Sequence, residues 1–189
     1  MKKLIILAAI MLSLQGCIFV VGAAAGAAAI TGVYDHRKIG KIAVDQKMTN
    51  DIVDKINAIP GLTQSSHIAV AVFNQNVLLT GETPDPAQRQ QAEYATRSVP
   101  NVGQVYNQIS IRGPISSLTR ASDSWITAKI KTQMLATKGL KSGTIKVVTE
   151  NGTVYLMGLV SRDQADAAVQ IARQVAGVLK VVKIFQYTN

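Results

Sequence analysis

Residues 68–81 read IAVAVFNQNVLLTG and residues 145–158 read IKVVTENGTVYLMG, and the two align without a gap at an offset of 77. Each stretch holds two short β-rich runs around a turn and closes on glycine. Asn151-Gly152 is the preferred pair for a two-residue type I′ hairpin, because both residues tolerate positive φ, and Asn74-Gln75 is a weaker version. The chain is therefore read as a repeat of two hairpin-centred units.

Helical periodicity flanks both hairpins. Ile52, Ile56 and Ile59 precede the first, with Thr49 or Asn50 as N-cap and Pro60-Gly61 as stop. Ile126, Ile130 and Met134 precede the second, with Asp123 or Ser124 as N-cap and Gly139 as C-cap. An alanine-rich helix follows each hairpin (86–98 and 162–175), and then an alternating strand (102–111 and 178–187). Each unit reads α-β-β-α-β. The expected fold class is α+β: two tandem αββαβ domains, each a three-stranded sheet covered on one face by two helices. The expected boundaries are 45–112 and 122–189, with a linker at 113–121.

The order of these features, with Val77-Leu78-Leu79-Thr80-Gly81, Val154-Tyr155-Leu156-Met157-Gly158 and Ala176-Gly177-Val178-Leu179-Lys180-Val181, resembles the BON domain. The first copy has Pro100-Asn101-Val102-Gly103-Gln104-Val105 at the last motif and lacks the glycine after its first residue. The resemblance implies a periplasmic or outer-membrane protein that contacts phospholipid. The resemblance to lipid-anchored members with two such domains further implies a role in outer-membrane integrity, concentration at the division site and contact with the β-barrel assembly machinery.

The N-terminus bears on the compartment. Lys2 and Lys3 precede an apolar stretch, Leu4 to Leu14, and Leu14-Gln15-Gly16-Cys17 resembles a bacterial lipobox. Residues 1–16 are expected to be a signal peptide and Cys17 the acylated (palmitate-bearing) first residue of the mature chain, followed by a Gly/Ala-rich tether to residue 44. The uncharged run from Leu4 to Tyr34 is long enough to span a bilayer, so a transmembrane anchor is the alternative. Ile18 after the cysteine, in place of an aspartate, favours the outer membrane, with the domains facing the periplasm.

Composition narrows the partners. With 48% hydrophobic and 16% charged residues, the chain is not a self-repelling coil. Its formal charge of +9 calls for an acidic partner, and a compartment outside the cytoplasm removes nucleic acid, leaving anionic phospholipid, cell-wall polymer or an acidic protein face. Residues 33–112 hold 8 Lys+Arg against 7 Asp+Glu, whereas residues 113–189 hold 10 against 4, so the positive charge is concentrated in the second copy.

Catalytic patterns are missing. His36 and His67 belong to no HExxH, neither Ser65-Ser66 nor Ser116-Ser117 sits in GxSxG, and the one thiol is assigned to the anchor. Asp51 and Asp163 are read as first-turn helix residues. No catalytic residue, metal ligand or cofactor is expected.

On a helical wheel over 125–136, Trp125 lies roughly 140° from the core position Ile130, and Leu135 falls on the same outer side. Lys129 and Lys131 flank them and Lys138 follows. Tryptophan and leucine between lysines suit a membrane interface, with the indole at headgroup depth and ammonium groups on lipid phosphate. Trp125, Lys129, Lys131, Leu135 and Lys138 are thus the expected lipid-binding residues. The corresponding first-copy helix offers Asp51, Asp54, Lys55 and Asn57 instead. Two alternatives stay open: Trp125 packs against the other domain or the linker, or the stripe serves a protein-protein adaptor for the assembly machinery or the cell wall.

Overall fold

The computed structural model describes residues 39–188, which belong to one compact unit, His36–Asn189. The expected signal peptide, Cys17 and the tether as far as residue 38 lie outside the described residues.

The chain runs α1 (Ile39–Asn57), α2 (Leu62–Ser65), β1 (His67–Phe73), β2 (Asn76–Thr83), α3 (Pro86–Arg97), β3 (Val105–Asn107), β4 (Ser110–Ile111), α4 (Ser117–Ala136), a 3-10 turn at Ser142–Thr144, β5 (Ile145–Glu150), β6 (Thr153–Val160), α5 (Arg162–Arg173) and β7 (Lys180–Tyr187). In the first domain β2 is central, antiparallel to β1 and parallel to β3 and β4. In the second, β6 is antiparallel to β5 and parallel to β7. This is the expected α+β repeat. The edge strand read as 102–111 is split, giving four strands to the first sheet. There the Asn107 side chain accepts from the Ile109 N–H at 3.2 Å, a local bond that competes with the ladder. The break lies opposite Gly81, whose φ of +108° turns β2 out of regular strand geometry.

Both hairpins turn through positive φ at their two central residues, 49° and 66° at Asn74-Gln75 and 47° and 71° at Asn151-Gly152, as a type I′ turn requires. Asn101, with φ 64°, stands where the second copy has Gly177 at 88°, since asparagine tolerates the left-handed region. The first copy therefore keeps the backbone path without the motif glycine.

Helix starts differ most from expectation. α1 already runs from Ile39, so the last residues read as tether are helical, Thr49 and Asn50 are interior and Asp51 pairs with Lys47 at 2.6 Å. α4 begins at Ser117 under an N-cap by Ser116, so the segment read as linker is helical over its second half. Asp123 and Ser124 are not caps. Asp123 is buried in mid-helix, where its carboxylate accepts the Asn151 and Gly152 N–H groups at 2.7 and 2.8 Å. Asp45 repeats this on α1, accepting from Asn74 and Gln75 at 2.8 and 3.0 Å. A carboxylate that satisfies two turn N–H groups ties each first helix to its hairpin. Asp123→Ala would leave a buried donor pair unmet and is expected to cost about 2–3 kcal/mol, with Asp123→Asn costing less because it keeps one acceptor. Urea unfolding of the two variants checks this.

Three cores hold the unit together. Met48, Ile52, Ile56, Val77, Leu79 and Ile109 are buried under the helices of the first domain, and Ile126, Ile130, Met134, Val154, Leu156 and Ala168 under those of the second. The third core lies between the sheets: Ala71, Phe73 and Leu78 pack against Tyr155, Met157 and Ile184. The sheet faces away from the helices are thus joined. Lys146 Nζ donates to the Val72 carbonyl at 3.1 Å and Asn74 Nδ2 to Gln186 Oε1 at 2.6 Å across this interface.

Candidate functional site on the second domain

α4 is pinned at its inner face by Asp123, Ile126, Ile130 and Met134, all buried, and by Thr127, whose hydroxyl donates to Thr149 Oγ1 on β5 at 2.7 Å. Its opposite face is open. Trp125 is 55% exposed and Leu135 54%, and Leu118, about two turns before Trp125, is 79% exposed. Leu118 and Trp125 are seven residues apart, within about 20° on the helix. Leu118 escapes the sequence reading because an N-cap at Asp123 or Ser124 starts the helix seven or eight residues too late. A serine-led first turn, Ser116-Ser117, was the signal for the earlier start.

The hydroxyls on the outer half of α4 turn inward: Ser124 donates to the Arg120 carbonyl at 3.0 Å and Thr132 to that of Ala128 at 2.9 Å. Satisfied within the helix, they can leave water at little cost. Lys129, Lys131 and Lys138 are exposed, and among the described residues none of them forms an ion pair. Packing around Lys131 lowers its pKa from the ordinary lysine value through desolvation. The structure brings the five expected residues, with Leu118, to one side of one helix and its C-terminal exit. Trp125 is not taken up by the interface between the domains, which the sheets supply. On α1, Asp54, Lys55 and Asn57 are exposed with no aromatic among them.

A second electrostatic feature lies where the domains meet. Glu82 of β2 is 0% exposed and its carboxylate accepts from Arg112 at 3.3 Å. Asn151, with its amide oxygen facing the guanidinium, accepts from both Arg112 terminal nitrogens at 3.1 Å. Nearby Glu150 is pushed up to about 7, first by burial and then by the charges of Glu82 and Asp123, while a bond from the Thr80 hydroxyl and the Arg112 charge oppose the rise. This cluster was invisible in the sequence because its members come from different domains. Among the described residues no group of three His, Cys, Asp or Glu could hold a metal. His67 is half-buried at the start of β1, and Ser65 and Ser66 are engaged with Gln88. His36 lies outside the described residues.

The sequence profile of the BON domain matches residues 45–113 and 122–189. The outer membrane lipoprotein DolP of Haemophilus influenzae is 32% identical over 189 residues, covering 100% of this chain and 97% of that protein. A 21 kDa hemolysin of Actinobacillus pleuropneumoniae is 35% identical over 82% of this chain and 80% of its own length. Osmotically-inducible protein Y of Escherichia coli is 31% identical over 74% of this chain and 68% of its own. With two BON units in tandem and a full-length relative, the chain belongs to the BON-domain family, as a two-domain member similar to DolP.

Proposed function

We propose that this chain is an outer-membrane lipoprotein, acylated at Cys17 and facing the periplasm, whose second BON domain docks on anionic phospholipid through α4 and so supports outer-membrane integrity at the division site. The observation that carries the docking is the outer face of α4. Leu118, Trp125 and Leu135 are exposed there with unpaired lysines beside them, on a helix whose outward hydroxyls are satisfied internally. The full-length similarity to an outer membrane lipoprotein supports the compartment. Because an acyl anchor already holds the protein at a membrane, the α4 contact selects lipid composition and orientation.

Residues 36–189 carry all three cores and suit a soluble test. Co-sedimentation with phosphatidylglycerol vesicles is expected to exceed that with neutral vesicles and to weaken with salt. Each basic residue at an anionic surface contributes about 1 kcal/mol, so Lys129→Ala should weaken binding roughly fivefold, and Trp125→Ala by as much or more. Equal indifference to anionic and neutral vesicles would sink the lipid reading in favour of a protein or cell-wall partner. Mass spectrometry of the mature N-terminus tests Cys17 separately.

A further inference from the structure

The edge strand of the first sheet breaks between Asn107 and Ser110, whereas β7, its counterpart in the second domain, runs unbroken from Lys180 to Tyr187. Beside the break lies an open groove of about 420 Å³, a size that suits a small molecule. One wall is the break itself, with Gln108 and Ser110, together with Arg89 of α3; the other is the second domain, with Thr153 and Tyr155 of β6 and Lys180 of β7. The second wall is the inner face of its sheet. Tyr155, Val182 and Ile184 all belong to the core between the sheets, and Lys180 stands two residues before Val182 on a strand whose side chains alternate. α4 covers the opposite face, over Val154 and Leu156. The groove is thus separate from the docking helix.

Its chemistry is one-sided. Seven of the nine lining residues are polar, two of them are cationic and none is acidic, so the groove suits a hydrophilic anion. Arg89 Nη2 donates to the Asn107 carbonyl at 3.0 Å, which holds the guanidinium at the break. Its remaining N–H groups and the Lys180 ammonium meet no acceptor among the described residues. Glu93 on the same helix feels the Arg89 charge, but its oxygens accept from Arg97 and Asn107. Tyr155 is the most telling member. It is 6% exposed, yet its hydroxyl bonds to no protein group among the described residues. No buried side-chain polar atom there lacks a partner, so this hydroxyl opens to the groove. Burial and then the Glu150 charge push its pKa up, which keeps the phenol a donor. The arrangement is not repeated on the second edge: counted from the N-caps Asp85 and Ser161, the place of Arg89 falls to Ala165.

We propose that the groove between the domains binds a small phosphorylated polyol, with Arg89 and Lys180 on the phosphate from opposite walls and the Ser110, Thr153 and Tyr155 hydroxyls on the polyol. A phosphate monoester carries close to two negative charges at neutral pH, matching two cations, and a guanidinium fork is shaped for its oxygens. Polar walls offer no bed for an acyl chain, and the groove lies on the sheet face turned away from α4. The ligand is therefore a soluble ester and not a headgroup of the bilayer on which α4 docks. Held from both walls, it also fastens one domain to the other.

Glycerol phosphate titrated into residues 36–189 and followed by amide NMR is expected to shift Gln108 and Ser110 together with Thr153, Tyr155 and Lys180, and to raise the melting temperature. Glycerol alone should shift none of them. Lys180→Ala removes an exposed side chain and should weaken binding roughly tenfold with the melting temperature of the free protein unchanged, and Tyr155→Phe, which keeps the ring, about fivefold. Shifts confined to one wall, equal shifts around Lys138 outside the groove, or an unaltered affinity in Lys180→Ala overturn the site. Equal affinity for inorganic phosphate overturns the polyol. Displacement of the protein from phosphatidylglycerol vesicles by glycerol phosphate would assign the groove to a lipid headgroup and overturn the soluble ligand, whereas vesicle binding that is indifferent to it supports two separate sites.

Discussion

Gly81→Val leaves the first domain unfolded. A Cβ at position 81 would lie 1.9 Å from the His67 carbonyl oxygen and 2.9 Å from its carbon, both backbone atoms of β1. The φ of +108° is in addition one that a β-branched residue scarcely adopts. Neither strain can relax by a rotamer change, because β1 is held to β2 along its length from His67↔Glu82 to Phe73↔Asn76. The strands must part, exposing Leu78, Leu79 and Glu82, which together anchor the helix-side core, the core between the sheets and the buried carboxylate. The cost exceeds about 4–5 kcal/mol, a large share of the whole stability of a domain this size. Two-dimensional amide NMR should show the dispersed signals of residues 45–113 collapse. Gly113→Ala, where nothing lies within 4 Å of an added Cβ, should stay within about 0.5 kcal/mol of the parent. A folded Gly81→Val would refute the argument.

Arg112→Ala is expected to be nearly as damaging, and more so at high pH. It removes the guanidinium facing Glu82, whose side chain is wholly buried, and an unpaired buried carboxylate costs 3–5 kcal/mol. Arg112 itself is 40% exposed, which puts the loss near the lower end, about 3 kcal/mol. The pH dependence comes from Glu150, pushed up to about 7 from an ordinary 4.5 chiefly by burial and then by Glu82 and Asp123. Between those values the folded protein holds a proton that the unfolded chain has lost, so stability from this group is present below pH ~4.5 and falls as pH rises to ~7. Arg112 opposes that rise, so its removal steepens the fall. Urea unfolding at pH 5 and pH 8 should therefore show a wider gap between Arg112→Ala and the parent at pH 8, and Glu150→Gln should flatten the parent's slope. Equal gaps at the two pH values would contradict the assignment.

Much of the fold was legible in the repeat. The paired 68–81 and 145–158 stretches carried hairpin, turn type and central strand, because each is a local property of neighbouring residues. The inner face of α4 was also legible, since Ile126, Ile130 and Met134 follow helical spacing. Helix starts were less so. Asp123 looks like a cap residue in sequence and Asp45 carries no signal there, yet each serves a turn of the following hairpin some thirty residues on. The exposed stripe of α4 is legible from Trp125 onward, and only the true start of the helix adds Leu118 to it.

The sheet–sheet interface left one trace. Val77-Leu78-Leu79 and Val154-Tyr155-Leu156-Met157 are unbroken apolar runs where a half-exposed strand would alternate, the mark of a strand buried on both faces. Periodicity and turn chemistry thus determined two αββαβ units, their hairpins and the stripe on the second, because these depend on contacts a few residues apart. The pairing of the two sheets and the Glu82–Arg112–Glu150 cluster were decided by the tertiary structure alone. Each joins groups from distant parts of the chain, and only packing selects which distant groups meet.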